Sequence, residues 1–178
     1  MARATFVKAA RKDYPDHGIK KGESYWHWKF MQGGRGGAKR YSKTKPKPSQ
    51  LTQSEFWGNV LGLQESNEAT PHLDDIESQI EEIKSELEGW RDEQEERRSN
   101  LPDSLQDGSS GELLQGRYDA LEECVNTLDS VDFSYDQSEK EETETDEEYE
   151  TRVEDEKQYR AEEIWSEVTD ALGSISCD

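Results

Sequence analysis

The chain has 178 residues, 42 of them Asp or Glu against 22 Lys or Arg, for a formal net charge of -20. Only 30% of residues are hydrophobic and 36% are charged, which excludes a transmembrane span and argues against one large globular core. Met1 to Ala10 is basic but lacks the apolar stretch and cleavage site of a secretory signal, so a cytoplasmic protein, with no membrane partner, is expected.

Cys124 and Cys177 are too few for a disulfide framework, and His17, His27 and His72 are scattered singly, so neither a metal site nor a cofactor is expected. Charge is unevenly distributed. Residues 1–50 carry 13 Lys or Arg against 3 Asp or Glu, a net of +10, while residues 51–178 carry 9 against 39, a net of -30. Such an asymmetry points to a basic module for a polyanion joined to an acidic arm, with a boundary between 1–66 and 67–178.

In the basic half, Arg11 to Ile19 contains turn residues and a candidate short strand, with Lys20-Lys21-Gly22 as the connection onward. From Ser24 to Phe30, Trp26, Trp28 and Phe30 alternate with Tyr25, His27 and Lys29, the period of a strand. Gly33, Gly34, Gly36 and Gly37 around Arg35 supply a reversal, and Lys39 to Thr44 returns as the partner strand until Pro46 and Pro48 end the pairing. Thr52 and Glu55 fit a capping box for a short helix carrying Phe56, Val60, Leu61 and Leu63, with Trp57 beside them. Packing that stripe on Trp26, Trp28 and Phe30, at about 1.5–3 kcal/mol per buried large side chain, would hold a small module together.

Three segments, Lys20-Lys21-Gly22-Glu23-Ser24-Tyr25-Trp26-His27-Trp28-Lys29-Phe30, Lys39-Arg40-Tyr41-Ser42-Lys43-Thr44 and Pro48 to Phe56, resemble a pattern in small uncharacterised proteins of tailed bacteriophages. A stretch from Leu101 to Glu123, with Leu-Pro-Asp-Ser-Leu-Gln and Gly-Glu-Leu-Leu-Gln-Gly-Arg-Tyr, is similar to the same group. The resemblance covers under half of the chain and implies a phage-encoded protein acting in the host cytoplasm, with no activity attached. The hairpin alone resembles the arm-type DNA-binding sheet of phage integrases, but no integrase catalytic segment follows, so a recombinase is not expected.

In the acidic half, Thr70 and Pro71 suit a helix start. Leu73, Ile76, Ile80, Ile83, Leu87 and Trp90 then recur at alternating spacings of three and four, a heptad seam. Asp107 to Gly111 reads as loop, after which Leu114, Tyr118, Leu121, Val125 and Leu128 form a second seam with Cys124 beside it. Each seam is narrow, so a third helix or a second subunit should cover the flank. Ser138 to Glu150 reads as a solvated linker or frayed helix start; Tyr149, Val153, Ile164, Val168 and Leu172, with Trp165, indicate a third helix stopped by Gly173. The expected fold is mainly α with a small N-terminal antiparallel β module: a coiled-coil hairpin over about 71–99 and 112–130, plus a third helix over about 147–173.

The residue types suited to nucleic acid are Lys29, Arg35, Lys39, Arg40, Lys43, Lys45 and Lys47 for phosphates, with Tyr25, His27 or Tyr41 for base stacking. The Gly-Gly-Arg-Gly-Gly segment also resembles an RGG element, which a hairpin turn explains equally well. No carboxylate pair is flagged by a nucleophile, a glycine-rich phosphate loop or His-Glu-x-x-His spacing, so catalysis is not expected. Three functions remain open. The leading one is a nucleic-acid-binding or adaptor protein whose acidic coiled coil mediates homo-oligomerisation or grips a host or phage protein. The alternatives are an acidic mimic of DNA that inhibits a host defence or DNA-processing enzyme, and a scaffold-like structural protein.

Overall fold

The computed structural model describes residues 1–32 and 35–176, with the backbone alone at 31, 32, 35 and 36. The fold is mainly helical, with one small antiparallel sheet near the N-terminus, and the chain divides into two compact units, Met1–Glu65 and Ser66–Asp178.

The first unit holds strands β1 (Thr5–Val7), β2 (Tyr25–Gln32) and β3 (Arg35–Ser42) in the order β1-β2-β3. The aromatic alternation in β2 forms a strand, and the basic run returns beside it with Trp26 opposite Ser42 and Trp28 opposite Arg40. Register shifts between Lys29 and Met31, where a Cβ on Gly37 would lie 3.0 Å from the Phe30 carbonyl oxygen. Of the reversal expected from Gly33, Gly34, Gly36 and Gly37 around Arg35, residues 33 and 34 lie outside the described residues, while Arg35, Gly36 and Gly37 belong to β3 and not to the turn, because the strand already pairs there with the end of β2.

The third strand is Thr5–Val7 and not, as the turn-rich stretch suggested, part of Arg11–Ile19. That stretch closes on itself instead. Pro15–His17 form a single 3-10 turn, Gly18 takes the left-handed conformation (φ 65°), and Tyr14 and Ile19 exchange backbone hydrogen bonds of 2.8 and 3.2 Å. Pro15 and Gly18 favour a tight reversal, whereas Thr-Phe-Val supplies β-branched and aromatic side chains to a strand.

Helix α1 spans Glu55–Ser66 and buries Phe56, Val60 and Leu63. Its cap falls two residues later than Thr52: the Ser54 hydroxyl accepts from the Trp57 N–H (3.4 Å), while the Thr52 hydroxyl holds the Ser54 N–H (3.2 Å). The far end of α1 is clasped to the 3-10 turn Pro48–Leu51, because the Glu65 carboxylate accepts from both the N–H (2.9 Å) and the hydroxyl (2.6 Å) of Ser49. Of the aromatic strand face, Trp28 and Phe30 are buried and Trp26 is half-buried. Part of their cover comes from the sheet itself: Phe6 sits 5.1 Å from Trp26, and the Arg40 guanidinium 4.9 Å from Phe30.

The second unit contains α2 (Leu73–Ser99), α3 (Asp103–Gln106), α4 (Ser109–Asp129) and α5 (Asp146–Ser174). Helices α2 and α4 pack as an antiparallel pair, and α5 covers their flank. Ile76, Ile80, Ile83 and Leu87 from α2 are buried, as are Leu121, Val125 and Leu128 from α4; Leu73, Trp90, Leu114 and Tyr118 are half-buried at the seam's ends. Ala161, Ile164, Trp165, Val168, Ala171 and Leu172 of α5 complete the core, so the seam closes within one chain. Lys84 joins the two seam helices by ion pairs to Asp129 of α4 and to Glu81 (2.9 Å) on its own helix.

Several boundaries differ from those the sequence suggests. Helix α2 starts at Leu73 with His72 at the N-cap and no side-chain cap, so Thr70 and Pro71 precede it; Asp74 and Asp75 instead complement the first turn. Helix α4 starts at Ser109, so Ser109, Ser110 and Gly111 are helical and not loop. Gly111 lies three residues before Leu114, on the seam, where the absence of a side chain lets the backbone of Gln106 approach. Gly173 does not stop α5, which runs to Ser174 with Ile175 buried beyond it.

The acidic linker is also more structured than a solvated run. Glu156 accepts from Ser138 (2.8 Å) and Tyr135 (3.2 Å), Arg152 binds Glu144 (2.9 Å) and the Glu139 carbonyl (3.0 Å), and Arg160 binds the carbonyls of Asp132 (2.8 Å) and Ser134 (3.2 Å). These bonds strap residues 132–144 along α5, which opens on a capping box between Thr145 and Glu148.

Candidate nucleic-acid interface

Strand register decides which of the expected contacts share a face. His27 lies opposite Tyr41 and Lys29 opposite Lys39, which puts all four on one side of the sheet, together with Tyr25 two residues before His27. Tyr25 itself is buried with Ala10 and Ile19, against Val7, Tyr14 and Tyr41. It is therefore core and not a stacking residue, a correction that follows from the tight reversal at 14–19 folding over it. Its phenol is pushed to higher pKa by the Tyr14 hydroxyl and by burial. The ring surface that remains on this face comes from Tyr41 and His27, both half-buried, with His17 stacked on Tyr41 at 4.8 Å and Tyr14 at 4.9 Å.

The cations divide into distinct groups. Lys29 and Lys39 are exposed and face one another, and with Lys45 and Lys47 they make no ion pair among the described residues. Lys43 is paired with Glu23 at 3.2 Å. Arg40 belongs to the opposite face, over Phe30, and the Arg35 side chain lies outside the described residues. Like charges directly opposite across two strands destabilise a sheet, here by a few tenths of a kcal/mol at about the level of exposed pairs. Partial burial, with Lys39 and Lys29 nearby, lowers the His27 pKa, which favours the neutral ring.

A cleft of about 620 Å³ adjoins this face. Strand β1 pairs with β2 only as far as His27, and the chain before it turns away, the Ala2 N–H donating to the Leu51 carbonyl at 2.6 Å. The divergence opens a space lined on the sheet side by Arg3, His27, Trp28, Lys29, Phe30 and Lys39. Trp28 is only 5% exposed, and its indole Nε1 is buried with no hydrogen-bond acceptor among the described residues. Sequence reasoning missed Arg3 and His17; the signal for Arg3 is its place two residues before Thr5, in phase with β1.

In the second unit the seam residues serve packing. Cys124 is fully buried, its thiol donates to the Ala171 carbonyl (3.4 Å), and burial pushes its pKa up to about 11. Among the described residues no three His, Cys, Asp or Glu side chains converge as a metal site, and no helix is long and apolar enough to cross a membrane. Compared with known proteins, the chain matches no family model, no curated protein and no solved structure.

Proposed function

We propose that this chain is a binding protein and not an enzyme, contacting nucleic acid through the basic face of its N-terminal sheet while its acidic helical arm engages a protein partner. The observation that carries the reading is the uncompensated Lys29–Lys39 pair beside the Tyr41–His17 stack, since cations held together at a cost to the sheet are suited to an anion. Lys45 and Lys47 extend the positive track along the segment that leaves β3. The resemblance to tailed-bacteriophage proteins supports a phage origin and action in the host cytoplasm.

The arm's role follows from the closed seam. With Ile80, Leu87, Leu121 and Val168 all 0% exposed within one chain, oligomerisation through the seam has no apolar stripe to use, and the outer carboxylates are what a partner would meet. A basic protein partner fits that surface; imitation of nucleic acid toward a host enzyme is the second reading, favoured by the net of -30 over residues 51–178.

The test is fluorescence anisotropy of the full-length protein on labelled DNA and RNA across a salt series. Affinity should fall steeply with salt, by a slope of roughly 0.9 per duplex phosphate neutralised or roughly 0.7 per single-strand phosphate. Lys29→Glu with Lys39→Glu should weaken it by at least about tenfold. Absence of binding at low salt would overturn the reading.

A further inference from the structure

From the cleft beside β2 we infer that the nucleic acid taken by this protein is single-stranded, with one unpaired nucleotide seated between Arg3, Trp28 and the Lys29–Lys39 pair. The inference rests on the nucleic-acid reading above and narrows it. A sheet face alone offers cations to any phosphate backbone, single or double. The cleft offers something a duplex cannot use. At about 620 Å³ it falls in the range of small-molecule sites, roughly 300–1,000 Å³, and an unpaired base is free to enter such a space, whereas a base held in a stacked pair must first leave its stack.

Its lining suits a nucleotide in both parts. Arg3, Lys29 and Lys39 supply positive charge for a phosphate, and none of the three makes an ion pair among the described residues. His27, half-buried, supplies aromatic surface, which accepts any base because every base has a π-face, while Trp28 (5% exposed) and Phe30 (8%) reach the lining only with what they leave exposed. The indole Nε1 of Trp28 is a donor lacking an acceptor among the described residues; it is itself buried, so a base carbonyl or phosphate oxygen satisfies it only if the cleft wall yields. The opening is built into the backbone, since the Ala2–Leu51 hydrogen bond draws the N-terminal segment off β2.

The experiment compares full-length protein on oligo-deoxythymidylate and on a blunt duplex of the same length, at equal low salt. The single strand should bind about tenfold more tightly, in keeping with one base stacked on an aromatic side chain. Trp28→Phe, which keeps the ring and removes the N–H, should erode that preference and leave duplex binding unchanged. Lys39→Gln, at an exposed position, serves if Trp28→Phe fails to fold, and should weaken single-strand binding more than duplex binding. In the unsubstituted protein, the Trp28 indole N–H resonance should shift when the oligonucleotide is added. Equal affinity for both forms with an unmoved Trp28 resonance would overturn the cleft inference while leaving the basic face as a binding surface. Failure to bind either form would overturn the nucleic-acid reading itself, and the inference with it.

Discussion

Gly111 and Gln106 meet backbone to backbone: a methyl group on Gly111 would sit on the Gln106 carbonyl oxygen. Because the obstacle is backbone and not a flexible side chain, Gly111→Ala should cost about 3 kcal/mol, the upper end of the range for overpacking. Gly116, on the same helix with nothing within 4 Å of its Cβ position, is the control. Gly116→Ala should instead stabilise by about 0.5–1 kcal/mol through helix propensity. Thermal melts followed by circular dichroism decide between opposite signs; equal effects would contradict the close approach of α3 to α4.

Ile80 and Leu121 are both 0% exposed in the three-helix core. A carboxylate at either has no partner to meet, so Ile80→Asp or Leu121→Asp should destabilise the arm by about 4 kcal/mol or more. Unchanged helicity and melting temperature in both variants would rule out the packing described. Gln94 extends the α2 seam by one step and is 1% exposed, with its Oε1 unpartnered among the described residues. Replacing it by Met, close in volume and apolar, should raise the melting temperature, by about 1 kcal/mol in stability.

Cys124 should resist alkylation in the folded protein, because its thiol is buried, donates to Ala171, and is held near a pKa of about 11. Mass spectrometry of the peptide containing Cys124 after iodoacetamide treatment at pH 8 should show modification only in denaturant. Rapid labelling under native conditions would mean that α5 leaves α4 readily.

The strap over α5 predicts a particular acid response. Arg152 lowers the Glu144 pKa, and Ser138 together with Arg152 and Tyr135 lowers that of Glu156. Carboxylates with lowered folded-state pKa values stabilise the fold above their ordinary value of 4.5, and that contribution is lost as pH falls through the folded values. Arg152→Gln should therefore lower the melting temperature at pH 7, and the difference from the unsubstituted protein should shrink below pH 4. A difference independent of pH would assign the effect to packing of the Arg152 stem.

Much of this architecture was legible because it is periodic. The spacing of three and four from Leu73 to Trp90 and from Leu114 to Leu128 marks two helices whose burial needs no long-range information, and the alternation at Tyr25–Phe30 marks β2 in the same way. What escaped depends on contacts distant in sequence. Tyr25 looks like a surface aromatic until Tyr14 and Ile19 fold over it, and Gly111 looks like loop until Gln106 packs on it. Seam positions held by Gly111 and Gln94 were invisible to a search for apolar residues, although the spacing itself continues through both. The cleft depends on the Ala2–Leu51 hydrogen bond, between residues whose types give no hint of the pairing.

The Trp165 indole donates to the carbonyl of Asn67 (3.1 Å), a residue 98 positions earlier in the chain. During synthesis, the segment leading into α2 therefore leaves the ribosome well before its anchor exists. The α2–α4 pair can form early from near neighbours, but its uncovered flank must wait for α5. Over that interval the α2–α4 pair leaves open the groove that α5 later fills, and like charges on the outer positions oppose its pairing with a second copy. Charge-neutralising substitutions on the arm should therefore show first as poor folding yield in cells.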